Sequence, residues 1–332
     1  MKRLLSLLLL CLAPAFAAKR KTLDIYFVDV EGGQATLMVT PAGESLLFDA
    51  GWPGFEGRDA KRIAEAAKHA GLQHLDYLVM THYHTDHVGG VAPLAALLPV
   101  KTFVDHGENT ETGRQADQFT ASYQKAIGSA RRLTVKPGDT IPLKDVKVQV
   151  VAARGVTIGN ALPGAGKPNP LCEGYPRKQD DPSENGRSIA VLITFGKFRF
   201  VNLSDLTWNK ELDLACPANK IGTADLFQTS HHGVDLSNPK PLVHALAPRV
   251  IVMNNGLRKG GSPSAWQILN SSPGLKDMYQ LHLSQAGGKE NNVPAERIAN
   301  PEGDPGHYLL VQAEKNRKMA VTNARTGQAK EY

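Results

Sequence analysis

Thr81 to Gly90 reads Thr-His-Tyr-His-Thr-Asp-His-Val-Gly-Gly and packs His82, His84, Asp86 and His87 into six positions. The apolar run Leu75 to Met80 precedes it, so the cluster stands where a strand opens into a loop. Alternate residues of an extended segment point the same way, so His82 and His84 can grip one ion. Asp86 and His87, at the turn into the next helix, can face a second. Imidazole with carboxylate is the ligand set of zinc and its divalent neighbours, manganese among them. A chain built around this stretch needs a rigid scaffold that carries further ligands to the same point.

The run His-x-His-x-Asp-His, with Val28-Asp29-Val30-Glu31-Gly32-Gly33-Gln34 and Ser230-His231-His232-Gly233, resembles the metallo-β-lactamase-fold hydrolases. Within them it looks most like the hydrolase domain of competence proteins of the DNA-uptake type, over nearly the whole chain after a short leader. The resemblance implies an α/β fold, a four-layer αββα sandwich of two mixed β-sheets flanked by helices. It also implies one ion on His82 and His84 and a second on Asp86, His87 and a histidine of the 231/232 pair. Asp205 would lie between the ions, since a carboxylate bridges two ions where an imidazole does not. Asp86 would additionally handle the proton of the attacking water, and Asp49 would support the histidine ligands from behind. His231 is expected to be the ligand because it is the first residue past its strand. His232 is then left to donate a proton or to bind an anionic group.

The chain departs from this family in one place. Another histidine is expected near the exit of a middle strand, and Val151-Ala152-Ala153-Arg154 offers none. His106 is the nearby candidate, and without it the centre would hold a single ion.

The N-terminus has its own logic. Lys2 and Arg3 precede the apolar run Leu4 to Leu12, and Ala15-Phe16-Ala17 has the form of a signal-peptidase site, so residues 1–18 are expected to be a cleaved export signal. Removing it lowers the formal charge from +6 to +4. That mild excess suits an anionic substrate but, scattered as it is, does not by itself indicate nucleic-acid binding. With 42% apolar residues, the remaining 19–332 can bury a full core as one domain. Cys172 and Cys216 would meet oxidising conditions after export, where they can pair.

Along the chain, strands are expected at Leu23 to Val28, Ala35 to Thr40, Ser45 to Phe48, Tyr77 to Met80 and Val100 to Val104. Helices are expected at Arg58 to Ala70, Val91 to Leu98 and Gln115 to Ile127. Arg154 to Arg187 is dense in Gly and Pro without apolar periodicity, so it reads as a long loop lying over the substrate side. Asn185 and Ser188, at its end, can donate to negative charge on a reacting oxygen. Strands at Ser188 to Phe195, Phe198 to Leu203, Leu226 to Thr229 and Arg249 to Met253 complete the pattern.

The expected activity is that of an exported hydrolase using water activated by one or two zinc ions, or manganese. Its substrate would be a phosphodiester, in nucleic acid or in an envelope phosphate ester. The alternatives are hydrolysis of a carboxylic ester, lactone or β-lactam, and a non-catalytic binding module with a partial metal site. The sequence assigns no oligomeric state and no protein partner.

Overall fold

The computed structural model describes residues 21–332. The expected export signal lies outside them. Two sheets face each other. The first runs in the order Ala329–Glu331, Met319–Asn323, Leu309–Ala313, Leu23–Phe27, Thr36–Val39, Ser45–Phe48, Leu75–Val79, Val100–Asp105, Arg131–Thr134. The second runs Ile298–Asn300, Asp277–His282, Val250–Met253, Leu226–Gln228, Phe198–Asn202, Ala190–Phe195, Val146–Ala153, Thr140–Leu143, with Val156–Thr157 paired on Val146–Ala153. Both are mixed. Hairpins give antiparallel pairs, while Ser45–Phe48 to Leu75–Val79 and Phe198–Asn202 to Leu226–Gln228 are parallel and need crossover helices.

The layering follows from where apolar side chains fall. Leu23, Phe27, Phe48, Val148, Phe195 and Phe200 form a core between the sheets. The outer face of the first sheet buries Leu37, Leu47 and Leu78 against Ile63, Ala67 and Leu94, from helices Arg58–His69 and Val91–Leu97. The outer face of the second sheet does the same with helices Trp208–Ala215, Lys240–Leu246 and Pro263–Asn270, through Leu214, Leu246 and Leu269. Three apolar layers between four layers of structure make the αββα sandwich. Strands such as Leu226–Gln228 and Val250–Met253 are buried on both faces, which is why they read as continuous apolar runs. No described helix is long and apolar enough to cross a membrane.

The 154–187 segment is less free than its composition suggests. It contains the strand Val156–Thr157 and short 3-10 turns at Pro170–Cys172 and Glu184–Arg187. Cys172 is bonded to Cys216, and Asn169 Nδ2 donates to the carbonyls of Ala215 at 3.1 Å and Pro241 at 2.9 Å. Tyr175 stacks on Trp208 at 5.8 Å between ring centroids, and Asn209 Nδ2 donates to the carbonyl of Lys178 at 2.7 Å. These anchors turn a loop into a strap laid across the Trp208–Ala215 helix. They were invisible to a search for periodicity because each is a single long-range contact.

Candidate metal centre

Val79, Asn202, Gln228 and Met253 end strands that have parallel neighbours, and ligands of such sheets gather beyond the carboxyl ends of the strands. Past these four ends come His82 to His87, Asp205, His231–His232 and Lys259. Asp86, His87, Asp205 and His232, all buried, present one ligand atom each, and those atoms lie within 4.8 Å of one another. The spacing is specific. His87 Nε2 is 3.2 Å from Asp86 Oδ2 and 3.3 Å from Asp205 Oδ2, and His232 Nε2 repeats the same two distances, 3.2 and 3.3 Å. Two ligands about 2.1 Å from a tetrahedral ion stand about 3.4 Å apart, so these are the edges expected of a coordination shell. His87 Nε2 and His232 Nε2 also have no hydrogen-bond partner among the described residues, although both are buried. The residues present therefore fit a divalent ion.

The two adjacent histidines exchange the places expected of them. His231 (φ 50°, ψ 46°) and His232 (φ 55°, ψ 17°) both take left-handed backbone, followed by Gly233 at φ 79°. An extended exit would have sent the first residue inward. The left-handed turn instead leaves His231 at the rim, with Nε2 3.5 Å from Asp205 Oδ2, and drives His232 fully inside. His231 was the residue expected on the ion and His232 in proton transfer; in the structure it is His232 that completes the four-atom group. Gly260, at φ 90°, allows the next loop to close over it, since a Cβ there would stand 2.2 Å from the His232 carbonyl oxygen.

Supporting bonds fix which nitrogen faces inward. Asp49 Oδ2 accepts from His87 Nδ1 at 2.8 Å and from Thr81 Oγ1 at 2.6 Å, while Oδ1 accepts from the Thr81 N–H at 2.7 Å. With its proton held on Nδ1, His87 turns Nε2 to the centre. Among the described residues His232 Nδ1 is met by Asn254 alone, by its backbone carbonyl at 3.3 Å and its side-chain Nδ2 at 3.0 Å, which leaves Nε2 turned to the centre. Asparagine in place of Asp49 should therefore weaken zinc affinity by about 10–100-fold while leaving the far-UV circular dichroism unchanged. Calorimetric titration checks this, and a loss below about threefold would mean that His87 is oriented without Asp49.

The charges are arranged for a cation. Burial raises the pKa of Asp86, but His87 and His232 outweigh it and hold the carboxyl well below its ordinary range. Burial acts likewise on Asp205, where His232, His87 and His231 outweigh it. For His87, burial opposes charge, and Asp205, Asp86 and Asp49 together raise its pKa well above the usual value. Two ionised carboxylates thus meet in a buried place where an ion would replace a proton.

His82 and His84 stand beside this group. His82 Nε2 is 4.0 Å from Asp205 Oδ2, and the two rings are 4.7 Å apart between centroids. His106 does not join them: its Nε2 is bonded to Glu184 Oε2 at 2.8 Å. Glu184 also accepts from Tyr83 N at 3.3 Å, and the Ile189 N–H donates to the Thr81 carbonyl at 2.9 Å. The 184–189 segment is therefore pinned at both ends along the histidine motif. Between the pins, Asn185 Oδ1 and Ser188 Oγ are buried and without a hydrogen-bond partner among the described residues.

Three participants escaped the sequence reading. Lys259 pairs its ammonium with Asp86 Oδ2 and lies 5.0 Å from the Trp52 ring centroid. Glu184 organises the approach of the strap, and Glu111 lies 3.3 Å from His84. Lys259 follows a strand exit, as the histidines do, which is the one signal that could have drawn attention to it.

Residues 28–169 match the family model described as the Metallo-beta-lactamase superfamily. The chain is 22% identical to ComE operon protein 3 of Bacillus subtilis over 56% of this chain and 20% of that protein. It is 31% identical to a metal-dependent hydrolase of Agrobacterium fabrum over 32% of this chain and 45% of that protein. A ribonuclease Z of Methanopyrus kandleri is 28% identical over 34% of this chain and 37% of its own length. The chain thus spans between a fifth and just under half of these relatives. Among solved structures it is similar to a diiron beta-hydroxylase of Streptomyces venezuelae, with 15% identity, 72% of this chain and 46% of that chain covered, and a TM-score of 0.43. The match over 28–169 thus agrees with the motif and the sandwich in making the chain similar to the metallo-beta-lactamase superfamily.

Proposed function

We propose that the protein is an exported metal-dependent hydrolase of phosphodiesters, in nucleic acid or in a phosphate ester of the cell envelope. The observation that carries the hydrolase reading is the convergence of Asp86, His87, Asp205 and His232, with each histidine Nε2 3.2–3.3 Å from both carboxylates. A divalent ion bound there would lower the pKa of water to about 7 and polarise the oxygen under attack. The anionic substrate is supported by Lys259, whose ammonium stands beside Asp86 with its side chain partly exposed, as a phosphate-binding cation requires. The relative named ribonuclease Z points the same way. Export is supported by the leader-like run Lys2 to Ala17 and by the Cys172–Cys216 bond, which suits an oxidising compartment.

In this reading the chain's own residues divide the work. Asp86, His87, Asp205 and His232 hold the ion. His231, at the rim beside Asp205, carries a proton to or from the reacting oxygens. Lys259 draws in the phosphate, and the Asn185 side-chain NH2 and the Ser188 hydroxyl donate to it from the pinned segment. The test compares bis(p-nitrophenyl) phosphate, a p-nitrophenyl ester and nitrocefin, each with added zinc or manganese and with chelator. Metal-dependent turnover of the phosphodiester is expected. Turnover of the ester or nitrocefin alone would reject the phosphodiester reading, and no turnover with no ion retained would leave a binding module.

A further inference from the structure

The strand exit at Val151–Arg154, which supplies no histidine, turns through Arg154 and Gly155 instead. Ala153 pairs with Val156 across that two-residue turn, and both turn residues are left-handed, Arg154 at φ 58° and Gly155 at φ 79°. Asparagine or aspartate before glycine is the usual choice in such a turn, because a short polar side chain meets less steric resistance there than arginine does. Arg317 is also left-handed, at φ 83°, but its Nε bonds Asp225 at 2.8 Å. Arg154 is exposed, and its guanidinium meets no carboxylate among the described residues. An arginine kept at an unfavourable backbone position with its charge unpaired points to a ligand from outside the chain.

Arg154 lines a groove of about 750 Å³, a size within the range of ligand sites. Lys136, Gln149, Val156, Asn160 and Leu162 line it too, and no acidic residue does so among the described residues. Lys136 is bonded on the surface to Asp139 at 3.1 Å, which leaves Arg154 as the unpaired cation. The groove opens at the pole of the molecule that holds the metal centre. Lys136 follows Arg131–Thr134, which runs parallel to Val100–Asp105 and so ends on the same side as Leu75–Val79. Val146–Ala153 is two strands from Phe198–Asn202, about 10 Å across the sheet. The Arg154 N–H donates to the Arg187 carbonyl at 3.0 Å, which joins the turn to the pinned segment of Asn185 and Ser188. We propose that this groove takes a nucleotide of a single-stranded nucleic acid, beyond the phosphate that is cleaved. Arg154 then holds the phosphate of that nucleotide, Val156 and Leu162 form a wall for its sugar and base, and the amides of Gln149 and Asn160 meet the base edge. A small phosphate ester ends before it reaches the groove. A polyol phosphate polymer reaches it but brings no flat apolar body for the wall, and Val156 is 59% exposed until something covers it.

The inference rests on the phosphodiester reading, and two substrates with a separate binding measurement keep the two apart. The full-length protein with added zinc or manganese, and its R154G and R154K variants, are assayed on bis(p-nitrophenyl) phosphate and on a fluorescein-labelled oligothymidylate. Binding of the oligothymidylate is followed by fluorescence anisotropy at several salt concentrations. Glycine suits the left-handed turn, so R154G removes the guanidinium without disturbing the fold. In R154G, KM for the oligothymidylate is expected to rise about tenfold with kcat little changed, the loss of one charged hydrogen bond. The slope of log affinity against log salt is expected to fall by about 1, and R154K to restore it. Turnover of bis(p-nitrophenyl) phosphate, which has no second phosphate to offer, is expected to stay the same. Equal KM and equal salt slope in parent and R154G overturn the groove. Displacement of the oligothymidylate by poly(glycerol phosphate) as readily as by unlabelled oligothymidylate overturns the nucleic-acid assignment. A parent that cleaves neither phosphodiester overturns the reading beneath the inference, and the anisotropy of parent against R154G then decides the groove by itself.

Discussion

Substituting asparagine for Asp205 is expected to abolish tight metal binding, weakening the four-residue site by about 100-fold or more, beyond the 10–100-fold typical of losing a mere supporting partner. The reason is geometric and electrostatic together. Asp205 Oδ2 lies 3.3 Å from both His87 and His232, and the side chain is buried. Asparagine keeps the volume and one oxygen but removes the charge that offsets a cation in a low-dielectric place. The remaining group, Asp86, His87 and His232, would hold one negative charge instead of two. His232→Ala should resemble Asp205→Asn, whereas His231→Ala should leave affinity within a few-fold and lower turnover, because His231 stands outside the four-residue group. Zinc titration by calorimetry, with circular dichroism to verify folding, reads all three. If Asp205→Asn binds within about tenfold of the parent, the centre is not built on that carboxylate.

How far the sequence foretold this centre depends on the range of each contact. His82, His84, Asp86 and His87 were legible because six consecutive positions contain them, and the strand before them sets their direction. Asp205 was legible only as a residue after a hairpin, through the family resemblance. The choice between His231 and His232 was not legible, since it turns on two successive left-handed residues, a backbone choice that neither histidine announces. His106 looked available as a ligand because its partner, Glu184, arrives from 78 residues later. The same holds for Glu111 and Lys259, single charged residues among many until the fold brings them to His84 and Asp86. The sheets themselves were easier. Alternation and apolar runs of four to six residues recur in Val146–Ala153 and Ala190–Phe195, and a sandwich core demands that pattern.

Glu211 should give the protein a stability that falls with rising pH, and glutamine in its place should remove the fall. Helix Trp208–Ala215 carries this carboxyl into full burial beneath the loop that bears His231 and His232. Its Oε2 accepts from the Asn238 N–H at 2.6 Å, and Asn238 in turn brackets Ser230, accepting from its N–H at 3.1 Å and donating to its carbonyl at 2.9 Å. Burial pushes the pKa up to about 8 from 4.5. Between those values the folded chain keeps a proton that the unfolded chain releases. The stabilisation is therefore complete below pH 4.5 and is lost as pH rises through about 8. A shift of that size corresponds to about 5 kcal/mol. Glutamine is uncharged at every pH and retains an acceptor for Asn238, so at pH 9 the variant should be more stable than the parent by roughly that amount, and near pH 5 about equal. Urea unfolding across this range measures both curves. Parallel curves would show that Glu211 ionises in the folded protein much as it does in water, and that the loop holding His232 does not depend on a neutral group beneath it.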